Sequence, residues 1–207
     1  MMSTPAPRTT RLAPAARRAQ ILSAAAELAL ADGLERVTLR AVAERLEIRH
    51  GLITHYFSAA EDLVVEAFVA AASADRELMF PAEGTPIERI AHLARVNDSV
   101  DAGPLARLWL NARHLSRFSP PLAAALAEQD GKDHERLRRL IDDGVRSGDF
   151  SARDAASAAV RILLAVDGVC AYANDPEAFA AATAAGFVAE TAERVLGLDS
   201  GSLQRIA

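Results

Sequence analysis

Apolar residues recur at helical spacing along almost the whole 207-residue chain, and no stretch alternates with the two-residue period of a strand between hairpin turns. Ile21, Leu22, Ala25, Leu28 and Ala29 mark one face of a first helix from about Ala15 to Asp32, which Gly33 ends. Thr38 is a good N-cap for a second helix with Leu39, Val42, Ala43 and Leu46 as its stripe. Glu47 and Ile48 fill a tight turn, and a third short helix runs from about Arg49 to Tyr56, anchored by Leu52, Ile53 and Phe57. Ser58 and Glu61 make a capping box for a long fourth helix reaching about Phe80. Thr85, Pro86 and Glu88 open a fifth helix ending near Val100, and Pro104 opens a sixth that reaches about Phe118. Ser119 starts a seventh, which runs to about Arg146 and which Gly131 can kink or split. Ser151 with Asp154 caps an eighth ending near Ala173, and Asp175-Pro176 starts a ninth ending at Gly197. The pattern predicts an all-α fold of roughly nine helices.

Two short helices joined by a three- or four-residue turn form a helix-turn-helix, which lays its second helix in the DNA major groove. The polar positions of Arg49 to Tyr56 suit that task. Arg49, His50, Thr54 and His55 offer hydrogen bonds to base edges or phosphates, and Tyr56 offers a phenolic donor to phosphate. Gly51 lets backbone approach backbone or DNA closely.

The string from Arg18 to Phe68, RAQILSAAAELALADGLERVTLRAVAERLEIRHGLITHYFSAAEDLVVEAF, resembles the DNA-binding domain of the TetR family of bacterial transcriptional regulators. The phrase from Gly51 to Phe57 is most similar to the branch that contains the betaine-pathway repressor BetI, which by resemblance suggests choline. Three positions depart from the family pattern: Glu47 stands where many relatives have a turn glycine, Thr54 replaces the commoner tyrosine, and Ala60 replaces a lysine near the DNA backbone. The resemblance implies a head at residues 15–60, behind a disordered arm at 1–14, and a ligand-binding and dimerisation body at 61–207. It implies DNA contacts at Thr38, Arg40, Arg49, His50, Gly51, Leu52, Thr54, His55 and Tyr56, with Thr38 and Tyr56 on phosphates and His50, Leu52, Thr54 and His55 facing bases. It also makes the fourth helix the lever between head and body.

Composition adds bounds rather than detail. Residues 1–60 hold eight arginines against five acids, a surplus of three positive charges, so the net charge of −5 leaves −8 on the remainder. A mildly basic front on an acidic body fits a DNA-binding head whose body has other business. Arg8 and Arg11 in the arm can reach a minor groove, although a solvated tail is the plainer reading. No run approaches the roughly 18–20 apolar residues of a membrane span. Cys170 is the only cysteine, which excludes an intramolecular disulfide and agrees with a cytoplasmic home.

Signals of catalysis are thin. The five histidines show no zinc spacing, there is no nucleophile elbow, and Cys170 sits on an apolar helix as packing. No cofactor, metal or catalytic residue is expected. If the resemblance holds, helices five to seven enclose a pocket for a small effector, with Phe80, His92, Arg95, Trp109, Asn111, Arg113, His114 and Phe118 as candidate contacts. The plainer reading makes Trp109 and Phe118 core and the polar residues a solvated face. Helices eight and nine, at 151–173 and 175–196, are apolar nearly all round and can pair with their symmetry mates in a four-helix bundle. The chain is thus expected to be a homodimeric regulator, a repressor released from a palindromic double-stranded operator by an effector. The alternative is a helical small-molecule-binding or catalytic protein with a vestigial helix-turn-helix.

Overall fold

The computed structural model describes residues 12–97, 103–172 and 185–206. Among these residues the chain forms nine α-helices and no strand: α1 (Pro14–Asp32), α2 (Leu39–Arg45), α3 (His50–Tyr56), α4 (Ala60–Met79), α5 (Pro86–Asn97), α6 (Gly103–Leu115), α7 (Pro120–Ser147), α8 (Ala155–Cys170) and α9 (Phe187–Leu196). A single 3-10 turn, Leu34–Arg36, joins α1 to α2. No described helix is long and apolar enough to cross a membrane. Nearly all of the N-terminal arm lies outside the described residues, as does the stretch 173–184 that was expected to begin the ninth helix.

Local chemistry accounts for most helix ends. The Thr38 hydroxyl accepts from the Ala41 N–H at 3.0 Å, satisfying a free donor of the first turn of α2. Thr85 and Glu88 form the expected reciprocal box: the Thr85 N–H donates to Glu88 Oε2 at 2.7 Å, and the Glu88 N–H to Thr85 Oγ1. Ser119 accepts from the Leu122 N–H at 3.3 Å. Elsewhere the expectation fails. Ser58 does not cap α4, because the helix begins two residues later and the Ser58 hydroxyl turns to Asp62. Glu61 accepts instead from the Ser119 hydroxyl. At α8 the cap is Asp154 alone, accepting from the Ser157 N–H at 3.0 Å, with no part played by Ser151. Gly131 leaves α7 unbroken through 28 residues, since nothing packs close to it. Helix α6 stops at Leu115, so Phe118 falls in the turn to α7. Gly186 is left-handed at φ 83°, so α9 starts after it and a single helix from 175 to 197 does not form.

Two apolar cores hold the helices together. The first joins Ile21, Leu34, Val42, Ile53, Phe57, Leu63 and Phe68 of the N-terminal helices to Leu108 and Ala112 of α6 and Leu122 of α7. The head is therefore packed on the body rather than tethered to it. The second core joins the end of α4 and its neighbour Phe80 to α5, α7, α8 and α9. Helix α4 belongs to both, with Leu63 and Phe68 in the first and Met79 in the second.

Candidate functional site

The turn between α2 and α3 closes through two backbone hydrogen bonds: Ile48 N–H to Ala43 O at 3.0 Å and Glu47 N–H to Glu44 O at 3.1 Å. This paired pattern is a Schellman motif, and it puts Glu47 in the left-handed position at φ 53°. The chain then re-enters a helix with Ile53 and Phe57 buried, while His50, Gly51, Thr54 and His55 face solvent. Those four residues are spaced as two pairs four apart and so share one face of a two-turn helix. Space around the missing Gly51 side chain is open to 4 Å. Thr54 donates its hydroxyl to Gly51 O at 3.1 Å, and His55 meets Tyr56 edge to face at 5.2 Å.

Long-range contacts tie together the elements around this helix. Arg18 of α1 reaches both carboxylate oxygens of Glu66 on α4, at 2.6 and 2.7 Å, and stacks over the Phe57 ring at 4.8 Å. Arg45 of α2 pairs with Glu27 of α1 at 3.2 Å. Arg40 is exposed and paired with Glu44, while Arg49 and Thr38 are exposed at the starts of α3 and α2. Leu52 and Tyr56 are half-buried. The polar positions singled out from the sequence are thus exposed, apart from the half-buried Tyr56.

A second feature lies in the body. A cavity of about 250 Å³ opens between α4, α5, α6, α7 and α8. Its walls are mostly apolar, with Met79, Leu105, Trp109, Leu163 and Val166 among them. Four carboxylates intrude: Asp75 from α4, Asp130 and Asp133 from α7, and Asp167 from α8. Arg113 lies between two of them, donating to Asp130 at 3.0 and 3.2 Å and to Asp167 at 2.9 and 3.0 Å. Arg76 pairs with Asp133 and donates to Gln129 Oε1 at 2.9 Å. Asp75, only 6% exposed, accepts from the Trp109 indole N–H at 3.1 Å. Burial pushes the Asp75 carboxyl above its ordinary range, against the pull of that N–H and of Arg76. Burial likewise pushes Asp133 up to about 6. Cys170 also lines the cavity, and burial raises its thiol to about 11, which keeps it protonated and unreactive at neutral pH.

Of the pocket candidates drawn from the sequence, Trp109 and Arg113 line this cavity and the other six lie outside its wall. Phe80 is buried in the second core beneath the Arg136 guanidinium. Arg95 donates to His92 Nδ1 at 3.0 Å, which leaves His92 Nε2–H to donate to Leu78 O at 2.8 Å, so both groups are engaged with each other and the backbone. Asn111 is half-buried elsewhere on α6. His114 is exposed and meets Phe118 edge to face, and Phe118 is 72% exposed because α6 has already ended. The four aspartates escaped notice. Asp167 carried a readable signal, as the one charge in the apolar run from Ile162 to Cys170; Asp75 carried a weaker one, in a helix read mainly for its stripe.

The two features share structural elements. Helix α4 carries Leu63 and Phe68 into the core beneath α3 and Asp75 into the cavity. Trp109 lines the cavity, holds Asp75, and meets Phe68 edge to face at 5.3 Å.

Comparison with known proteins bears on both features. Residues 21–67 match the family model for bacterial regulatory proteins of the tetR family. The chain is 32% identical over 123 residues to the HTH-type transcriptional repressor KstR of Rhodococcus jostii, an alignment covering 58% of this chain and 57% of that repressor. Among solved structures, a Saccharomonospora viridis regulator in complex with choline superposes with a TM-score of 0.72 at 18% identity, over 86% of this chain and 96% of that one. The Bacillus subtilis transcriptional regulator FadR in complex with stearoyl-CoA superposes with a TM-score of 0.65 at 22% identity, over 84% and 97%.

Proposed function

We propose, on the premise that its N-terminal domain makes this chain a member of the tetR family of bacterial regulatory proteins, that it is an effector-responsive, sequence-specific repressor of transcription. The observation that carries the reading is the sharing of α4 and Trp109 between the helix-turn-helix core and the cavity. A ligand that displaces Trp109 or Asp75 pushes on the same packed unit that sets the attitude of α3. Such a ligand changes DNA affinity only to the extent that it binds the two arrangements differently.

In this reading His50, Thr54 and His55 face bases with Leu52 beside them, Thr38 and Tyr56 hold phosphates, and Arg40, Arg49 and Gly51 belong to the same DNA interface. A seven-residue helix reads few base pairs, so two copies on a two-fold operator are required. The apolar outer surface of α8 and α9 supplies the pairing face: Val160, Leu164 and Phe187 are 45%, 62% and 46% exposed there. Val160 and Leu164 also border the cavity, so in this reading the effector lies beside the pairing face. The protein works in the cytoplasm and catalyses nothing. The two solved regulators of this fold hold ligands as unlike as choline and stearoyl-CoA, so the fold leaves the ligand class to the lining of each cavity.

The test is binding of the purified protein to duplexes tiled across its upstream region at several salt concentrations, followed by random-sequence selection if no tile stands out. One palindromic site is expected to bind tightly, with affinity falling steeply as salt rises. His55→Ala should relax sequence preference at one position, a change worth about 1–3 kcal/mol, whereas Tyr56→Phe should weaken all sequences alike. If both variants bind as the parent does, α3 is not the reading helix.

A further inference from the structure

We infer that the cavity binds an organic cation, a substituted ammonium on a compact apolar or aromatic body, an assignment that rests on the cavity being the effector site. The charges around the space carry it. Four carboxylates from three helices face two guanidiniums, and each guanidinium is already committed, Arg113 to Asp130 and Asp167 and Arg76 to Asp133. Asp75 is the remainder. It is nearly sealed from solvent, it lines the cavity, and its hydrogen bond comes from a neutral indole rather than from a cation. Among the described residues the cavity and its immediate shell therefore set four carboxyl groups against two guanidiniums, and Asp75, with no cationic hydrogen-bond partner, sits where an uncompensated charge is costly.

A ligand that brings one positive charge relieves that imbalance; a carboxylate or phosphate adds to it. The other groups at the wall do not alter the balance: Cys170 is protonated, and Asn97 is neutral and donates to Leu93 O at 2.9 Å. His134 also borders the space, with Nε2 3.2 Å from Ala156 O. The apolar wall sets the rest of the ligand. Met79, Leu105, Leu163 and Val166 offer no partner for hydroxyls or amides, so the cation has to carry its charge on a hydrocarbon frame. The Trp109 ring beside Asp75 already has the Arg113 guanidinium 5.8 Å from its centroid, so this wall accommodates a cation beside an aromatic face.

Trp109 is the chain's only tryptophan, so intrinsic fluorescence reports this site directly. The experiment titrates the full-length protein with three probes that carry a phenyl ring: benzyltriethylammonium, its uncharged all-carbon isostere of matched shape, and the anion 4-phenylbutyrate. Saturable quenching by the ammonium probe at a concentration about tenfold below that needed by either of the others is expected. Asp75→Asn keeps an oxygen for the Trp109 N–H and removes the charge; it should lower affinity for the cation about tenfold and leave the uncharged isostere unchanged. The comparison among probes in the unaltered protein stands even if that variant folds poorly, and Asp167→Asn offers a second removal of charge. Equal or tighter binding of the isostere or the anion, or no saturable quenching by the cation, overturns the assignment. Adding operator DNA separates this inference from the regulatory reading. A cation that binds without releasing DNA sustains the inference and sinks the reading, while an anion that binds and releases DNA does the reverse.

Discussion

Glu47 offers the sharpest test of how the helix-turn-helix is built. It occupies the left-handed position of the Schellman turn at φ 53°, where an L-residue brings its Cβ close to a carbonyl oxygen at a cost of roughly 1–2 kcal/mol. Glycine avoids that clash but loses roughly 0.5–1 kcal/mol more in backbone entropy on folding. The difference makes Glu47→Gly stabilising by about 0.5–1 kcal/mol. The side chain is exposed and enters no ion pair among the described residues, so little else is lost with it. For a chain of this size about 1 kcal/mol moves the melting temperature by about 2–4 °C, provided head and body unfold together, as their shared core implies. The assay is a thermal melt followed by far-ultraviolet circular dichroism on Glu47→Gly, Glu47→Ala and Glu47→Gln. Alanine and glutamine keep the Cβ and should melt with the parent, while glycine alone rises by about 1–4 °C. A glycine variant that melts at or below the parent, or an alanine variant that rises equally, would refute the strain argument. The glutamine variant has a second use: if the Glu47 carboxylate repels phosphate, it tightens DNA binding at low salt without changing the melt.

Two further predictions concern the body. On α7 the same substitution at two glycines should have opposite signs: a Cβ at Gly144 would sit 2.1 Å from the buried Phe150 ring, whereas at Gly131 nothing lies within 4 Å. Gly144→Ala should cost about 1–2 kcal/mol, overpacking outweighing the helix-propensity gain, and Gly131→Ala should stabilise by up to ~1 kcal/mol; paired urea titrations check both. The second concerns pH. Asp133, raised to about 6, faces Asp75 and Arg76 of α4, Asp130 and His134 of α7, Arg113 of α6 and Asp167 of α8. A raised carboxyl is ionised only as pH climbs through that value, so affinity for benzyltriethylammonium should increase from about pH 5 to about pH 7, and most of that increase should vanish in Asp133→Asn. An unchanged profile in the variant would assign the titration to another group, Asp75 being the other cavity carboxyl that burial raises.

Much of the molecule was legible without coordinates because its helices are bounded locally. Thr38, Thr85 with Glu88, Ser119 and Gly148 act on backbone groups three or four residues away, so a linear reading finds them. The short third helix was legible for the same reason: two turns with Ile53 and Phe57 inward leave His50, Gly51, Thr54 and His55 outward. Local chemistry misled where two candidates lay close together, and tertiary contacts chose between them. Asp154 rather than Ser151 caps α8, while Ser151 instead donates its backbone N–H to Leu196 O at the end of α9. Glu61 was drawn away from Ser58 by a hydroxyl 58 positions distant.

The cavity was the part only the tertiary structure decided. Whether an aspartate faces solvent or a shared space depends on which helix lies opposite, and a helical period says nothing about that. Asp75, Asp130, Asp133 and Asp167 come from three helices spread over ninety residues, and their meeting with Arg113 and Trp109 follows from how α4, α6, α7 and α8 cross. The sequence by itself determined an all-α chain with a helix-turn-helix pattern near its N-terminus, because caps and apolar stripes act within a few residues. Packing decided that the head shares its core with the body, that Trp109 touches both features, and that the cavity carries excess negative charge. Each of those depends on side chains far apart in the chain being brought within a few ångströms.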